Sequence, residues 1–431
     1  MATTVILGAG IIGTSTAYYL SKHQPGSSIH LVEPSPELFA SASGYAGGFL
    51  AKDWFSPAVA ELGALSFEEH RKFAEQEDGA RKWGYSRSTS ISLSQAAKSG
   101  KRVDVWCREG ASRAEAASGE SSVGIAPAWL RRKKGDAVEI ISDDDTVAQV
   151  DPLQLSQFLL QKCIEAGVHL HHPAKALSVQ TDMRDEISSI CIASTTSSTE
   201  TDIPCTNIVI AAGAWSSQVF KTLFPSAEFE IPVSSLAGHS LVVKSPRWTQ
   251  EHEKDGCHAV FMTSEPGYSP EIFSRVGGQI YIAGLNSATE PLPDLPTDAK
   301  GKIRKDAIDR LRDTVKEVVG EDDVEVVREG LCFRPVTEKG TPFLSRIPDI
   351  CLGLYYDVRP APAGGVYLAA GHGPWGISMS LGTGKVMAEM IQGRKLSADV
   401  SKLAYSIMPE WTVDDGEDYV TVDPFGNEYP E

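Results

Sequence analysis

Val5-Ile6-Leu7-Gly8-Ala9-Gly10-Ile11-Ile12-Gly13-Thr14-Ser15-Thr16-Ala17-Tyr18-Tyr19-Leu20 opens the chain and decides its fold. The first three residues read as a short apolar strand, the glycines as a turn, and the small and apolar residues after them as a helix. Gly8 permits the tight turn. Gly10 lets backbone approach a pyrophosphate, and Gly13 lets the helix pack close to the strand. The helix start, with Ile11 and Ile12, offers N–H groups and a positive dipole end to phosphate. A second strand, Ile29-His30-Leu31-Val32, ends at Glu33, 20 residues after Gly13. An acid at that spacing accepts hydrogen bonds from ribose hydroxyls. Strand, turn, helix and acid in this order predict a dinucleotide site, with NAD and FAD both open.

At 431 residues the chain is long enough for two domains or three. Its formal charge of −17 argues against a nucleic acid partner or an anionic membrane, since both need a basic face. The seven cysteines are scattered without a CxxC pair, which reads as free thiols in a reducing compartment. No apolar run reaches the roughly 20 residues that span a bilayer. The first strand begins too early for a signal peptide, and the expected location is cytoplasmic.

Downstream, Ser41-Ala42-Ser43-Gly44-Tyr45-Ala46-Gly47-Gly48-Phe49-Leu50 is a loop of small residues placed for contact with the cofactor. Residues 57–79 read as a helix, 88–94 as a strand, and 109–123 as a polar stretch rich in Ser, Gly and Ala. The basic run 131–134 lies near three aspartates, 143–145, and reads as a solvated turn. A helix opens at Asp151-Pro152 and Gly167 ends it. His169, His171 and His172 follow on a strand that sends two of them to one face and one to the other, with no partner at ligand spacing, so no metal is expected. Asn207-Ile208-Val209-Ile210-Ala211-Ala212-Gly213-Ala214-Trp215-Ser216 is a second strand running into small residues. Residues 226–330 are rich in strands, with an amphipathic helix at about 298–319. Residues 409–431 are acidic and read as a tail.

Four segments, GAGIIGTSTAYYL, SASGYAGGFL, IVIAAGAWS and RPVT…GVYLAAGHGPWGISMSLGTGKVMAEMI, together resemble the D-amino-acid oxidase, glycine oxidase and sarcosine oxidase superfamily of FAD-dependent oxidoreductases. They run in family order from residue 5 to residue 391, and the nearest impression is of fungal members. The resemblance implies an α/β Rossmann-like FAD-binding domain built from discontinuous segments (1–84, 146–225 and 331–400). It also implies a mainly antiparallel-sheet substrate domain (85–145 and 226–330), which leaves 401–431 as the tail. It places Gly8, Gly10 and Gly13 at the pyrophosphate, Glu33 at the adenosine ribose, and Ser41, Ser43, Gly44, Gly47 and Gly48 along the pyrophosphate toward the ring. Lys175 and Ala176 would meet adenine through backbone. Ala212, Gly213 and Trp215, with Gly371, Gly373, Trp375 and Gly376, would close over the ribityl chain and the pyrimidine end of the ring.

The chemistry the family implies is hydride transfer from a carbon bearing nitrogen to flavin, hydrolysis of the resulting imine, and passage of electrons to O2 or another acceptor. The substrate would be a small amine or amino acid. A carboxylate substrate calls for a buried arginine, and the position before proline in Cys332-Phe333-Arg334-Pro335 supplies Arg334. His239 is a candidate cation beside the flavin, and Tyr281 and Arg275 are candidate pocket residues. Ser378 stands where sarcosine-oxidase-like enzymes carry a lysine. Cys332 stands where they attach FAD covalently; non-covalent FAD is the expectation, with a link at Cys332 left open. Two other readings are an NAD-linked dehydrogenase and a flavin-bound scaffold of low turnover.

Overall fold

A computed structural model describes residues 3–94, 126–133, 136–142, 145–263, 268–320, 324–360 and 362–405. The stretch 109–123, Lys134, Asp143, Asp144 and the tail from 406 onward lie outside the described residues.

The opening strand, Thr4–Leu7, is central in a six-stranded sheet. Its order is Phe343–Arg346, Gly365–Ala370, Asn207–Ile210, Thr4–Leu7, Ile29–Val32 and His169–His171. All neighbours are parallel except the edge pair Phe343–Arg346 with Gly365–Ala370. The strands come from the beginning, middle and end of the chain, so this layer is discontinuous, as the resemblance implies. Residues on the central strands are buried on both faces, as a sheet covered on both sides requires. One face packs against helices Ile11–Ser21, Ala60–Glu77, Pro152–Glu165 and Gly376–Ile391. The other is covered by helix Ser216–Leu223 and an antiparallel three-stranded sheet of Ala174–Thr181, Ile187–Ser194 and Glu200–Pro204. Asp151 caps Pro152–Glu165 by accepting from the Leu153 and Gln154 N–H groups, with proline where no N–H is needed.

A second, nine-stranded sheet is mainly antiparallel. Four of its strands, in the order Glu325–Val336, Ser234–Lys244, Gln279–Ser287 and Glu271–Arg275, face the first layer. Alternation divides their side chains. Leu241, Val243, Ile272, Ile280 and Ile282 pack with helix Lys305–Val318, while Val242, Phe273, Tyr281 and Ala283 pack on the opposite side with Phe49. The short strands Phe49–Ala51 and Val147–Gln149 also belong to this sheet. The expected boundary at 330/331 falls inside the strand Glu325–Val336, so Arg334 rides on the antiparallel sheet. No helix among the described residues is long and apolar enough to cross a membrane.

Candidate active site

The two sheets enclose a cavity of about 430 Å³. Its first wall is the opening turn. Gly8 has φ +103°, and a Cβ there would lie 2.6 Å from the Ala211 carbonyl oxygen. A Cβ on Gly13 would lie 2.0 Å from the Gly8 carbonyl oxygen, so helix and strand approach as closely as the glycine spacing predicts. Gly10 is the N-cap of Ile11–Ser21 and makes no side-chain cap. Instead the Ile11 N–H donates to Ser43 Oγ at 2.9 Å, which brings the small-residue loop to the helix start. Gly8, Gly10, Ile11, Ile12, Glu33, Ser41, Ser43 and Gly47 all line the cavity, and Lys175, Ala176, Ala212, Gly213 and Trp215 continue its wall. Gly373 and Gly376 close the far side.

Glu33 is fixed before any ligand arrives. One carboxylate oxygen accepts from the Ala9 N–H at 3.1 Å and the other from the Ser35 N–H at 3.0 Å. Burial raises its pKa, and these two donors oppose the rise.

The other predicted cofactor residues, and His239, fall outside the cavity wall. Gly13 and Gly44 serve close packing: a Cβ on Gly44 would meet the Phe39 carbonyl oxygen at 2.3 Å. Gly48 and Gly371 hold positive φ, +86° and +87°, at turns beside the wall. Trp375 packs on Phe55, at 4.8 Å between ring centroids, and on Trp54 and Phe49. His239 is not brought to the cavity either. Strand alternation turns it to the helix side of its sheet, where its Nε2 accepts the Arg304 N–H at 3.1 Å just before Lys305–Val318. Burial lowers its pKa, so it serves as a neutral acceptor.

The sheet side of the cavity carries Arg334, Tyr281 and Cys332. Gly238 makes room for the arginine: a Cβ there would lie 3.2 Å from the guanidinium carbon and 3.1 Å from Asn286 Oδ1. Arg334 donates to that same Asn286 oxygen. Burial alone would lower the Arg334 pKa, but Cys332, Tyr281 and Glu271 around it raise it. Burial, with Cys332 next, raises the Tyr281 hydroxyl above its ordinary range, so it stays a neutral donor. Burial also raises the Cys332 thiol. Ser378 accepts the Ala51 N–H at 3.0 Å and donates back to the Ala51 carbonyl; it puts no charge on the site.

Arg275, a candidate pocket residue by sequence, is not on the cavity wall but behind it: it is 3% exposed and donates to the Ala46 carbonyl at 2.6 Å and the Gly47 carbonyl at 2.8 Å. Burial brings its pKa down to about 10, which leaves it charged at neutral pH. Arg328, Phe273, Glu271 and His372 are the residues that sequence reasoning missed. Arg328 donates to the Gly44 carbonyl at 2.9 Å and lies over the Tyr45 ring. Two arginines of the second sheet therefore pin the loop of the first layer. Phe273 and Glu271 line the cavity on the same strand, and the strict alternation Glu271-Ile272-Phe273-Ser274-Arg275 is the signal that marks them as one face. His372 also lines the cavity, with Nε2 3.1 Å from Thr383 Oγ1. Burial drops its pKa to about 3, so it is neutral. Of the three histidines expected not to bind metal, His169 and His171 stack on His30, at 4.9 and 5.2 Å between centroids.

A helix start on the cavity wall, a carboxylate 20 residues on, and a wall of glycines that side chains would obstruct fit an extended dinucleotide. The comparisons with known proteins agree. The family model described as DAO, FAD dependent oxidoreductase, matches residues 3–390. A Schizosaccharomyces pombe protein named "Putative oxidoreductase C1F5.03c" is 27% identical over 424 residues, covering 93% of this chain and 96% of its own. Among solved structures, glycine oxidase from Geobacillus kaustophilus superposes with a TM-score of 0.69 at 17% identity, covering 95% of this chain and 99% of that one. L-proline dehydrogenase from P. horikoshii superposes with a TM-score of 0.68 at 15% identity, covering 94% and 96%. These two likenesses establish the fold.

Proposed function

This chain belongs to the family of FAD-dependent oxidoreductases, and on that premise we propose that it oxidises the C–N bond of a small amino acid or amine, with O2 as the electron acceptor. One observation carries the reading: Arg334 stands in the cavity wall, on the sheet face that also bears Tyr281 and opposite the glycine-rich turn.

In this reading Gly8, Gly10 and the start of helix Ile11–Ser21 hold the pyrophosphate. Glu33 takes the adenosine ribose, and Lys175 and Ala176 flank adenine. Ala212, Gly213, Trp215, Gly373 and Gly376 leave space for the ribityl chain and ring. FAD supplies a two-electron acceptor for hydride from the carbon bearing nitrogen, and water hydrolyses the imine product. The protein binds, orients and dries the site. Arg334 grips a carboxylate in a bidentate pair. Asn286 accepts from one of its Nη atoms and so fixes the plane of the guanidinium. Tyr281 offers a neutral hydroxyl and, with Phe273 stacked on it at 5.9 Å, an apolar wall. Arg275 and Arg328 keep the 41–48 loop closed over the cavity, which excludes solvent.

The test is anaerobic mixing of the flavin-loaded protein with a panel of amino acids, N-substituted amino acids, simple amines and 2-hydroxy acids, followed by flavin absorbance. Bleaching by a member bearing nitrogen is expected, with hydrogen peroxide release on admitting air. Bleaching by 2-hydroxy acids alone would overturn the assignment to C–N bonds.

A further inference from the structure

The cavity lies between two layers, and FAD is far larger than a small amine or amino acid, so the cofactor needs a wider way in than the substrate does. We propose that residues 288–302 form a strap over the adenosine end of the cavity, and that FAD enters and leaves by the opening of this strap. This role rests on FAD occupying the cavity and is independent of which substrate is oxidised.

The segment joins strand Gln279–Ser287 of the second sheet to helix Lys305–Val318 and crosses to the first layer on the way. Asp294, Leu295 and Pro296 line the cavity together with Glu33, Pro34 and Lys175. The Trp215 indole N–H, on the first layer, donates to the Pro293 carbonyl at 2.7 Å. Lys300 pairs with Glu37, four residues past Glu33. Leu292 and Ala299 pack with Ala214 and with Leu331 and Phe333 of strand Glu325–Val336. Glu290 and Lys302 pair at 3.7 Å and draw the two ends of the segment together. Pro291, Pro293 and Pro296 each fix φ, so the strap is stiff and moves as one piece.

Other walls of the cavity are held more firmly. Gly13 lets the opening helix and strand close on each other, Arg275 and Arg328 hold the 41–48 loop, and Lys175 and Ala176 lie in a paired strand. Arg334 and Tyr281 belong to strands of the second sheet. Among the described residues, 288–302 pair with no strand. Both side chains of the Lys300–Glu37 pair are about half exposed, where an ion pair contributes little. The Trp215 bond and the apolar contact around Ala299 are therefore the main hold. Opening the strap breaks less structure than opening any of the walls just named, and it costs no hydrogen bond of a sheet ladder. Asp294, Leu295 and Pro296 move away with it, which uncovers the cavity from the Glu33 end.

The experiment follows FAD exchange by flavin fluorescence, so it needs no substrate and no turnover. In the double variant Glu37→Cys, Lys300→Cys, the two exposed positions are joined by a bismaleimide with a cleavable disulfide in its spacer. Wild type and each single variant, treated alike, are the controls. With the strap tied down, FAD uptake by apoprotein and FAD release from holoprotein should both slow at least about tenfold, and reductive cleavage of the spacer should restore both. Trp215→Phe keeps an aromatic ring and loses the donor to Pro293, so both rates should rise at least about threefold. Exchange rates indifferent to the cross-link would overturn the strap as the gate. So would a Trp215→Phe protein in which release quickens and uptake does not, since that is the loss of a contact and not of a latch. A protein that takes up no FAD would remove the cofactor's placement as well. Amino acids that fail to bleach the flavin would remove the proposed oxidation and leave the strap standing.

Discussion

Replacing Arg275 with methionine tests how the two layers are joined. The guanidinium donates three contacts to two backbone carbonyls, Ala46 at 2.6 Å and Gly47 at 2.8 and 3.2 Å. The loop that receives them also supplies Ser41, Ser43 and Gly47 to the cavity wall. Methionine keeps much of the apolar stem and drops the charge and all the donors. The Gly47 carbonyl keeps Gln149 Nε2 at 2.7 Å, so the Ala46 carbonyl alone is left without a donor, at a cost of about 1–3 kcal/mol. Relief of the burial that already depresses this arginine offsets part of that. A net loss of about 1.5 kcal/mol lowers the urea midpoint by roughly 0.5 M. Because the loop is itself a wall of the proposed flavin site, the FAD dissociation constant should rise at least about tenfold, read by recovery of free-flavin fluorescence. Arg275→Lys keeps a charge and fewer donors, and should fall between. A methionine variant with the wild-type midpoint and unchanged flavin affinity would refute the clamp.

Gly13→Ala would force a methyl to 2.0 Å from the Gly8 carbonyl oxygen, so helix and strand must separate; the protein should lose flavin and melt at lower temperature in differential scanning. His30 is held neutral by burial and by its two histidine neighbours, with its pKa lowered to about 4 from 6.5. The unfolded chain therefore takes up a proton first as pH falls, and stability is lost from about pH 6.5 down to 4; for this half-exposed group the loss is about 1 kcal/mol after screening. His30→Gln should flatten that part of the urea-midpoint profile against pH, and a profile parallel to wild type would count against the stack as its source. Acid precipitation of the holoprotein should leave a yellow supernatant; a yellow pellet would instead place a covalent bond, with Cys332 in the cavity wall as the thiol to substitute.

What could be read from sequence was what depends on neighbours in the chain. The Gly8-to-Gly13 turn, its helix and Glu33 follow from local period and spacing, and they line or support one cavity wall. The strands at Asn207–Ile210 and Gly365–Ala370 were legible as apolar runs ending in small residues. What escaped is carried by contacts between distant segments. Arg275 meets a loop 228 residues earlier, and Arg328 meets one 284 residues earlier. No local pattern announces such a bond. The neighbourhood of His239 suggests the flavin, yet a single step along a strand reverses the face: Gly238 lies under the Arg334 guanidinium while His239 turns to the Arg304 N–H. Trp375 sits in the right loop, but its ring turns into an aromatic cluster. Glu271 and Phe273 were within reach of the same alternation argument, applied to Glu271–Arg275.

The central claim is that this flavoenzyme oxidises a nitrogen-bearing carboxylate held by Arg334. Its most direct test is the anaerobic reductive half-reaction of wild type and Arg334→Ala, followed by stopped-flow absorbance across concentrations of the substrate that bleaches wild type. Loss of a buried bidentate pair is worth about 3–5 kcal/mol, so the concentration for half-maximal reduction should rise at least about a hundredfold while FAD stays bound. Half-saturation unchanged by the substitution, or bleaching of wild type only by amines that lack a carboxylate, would contradict the account.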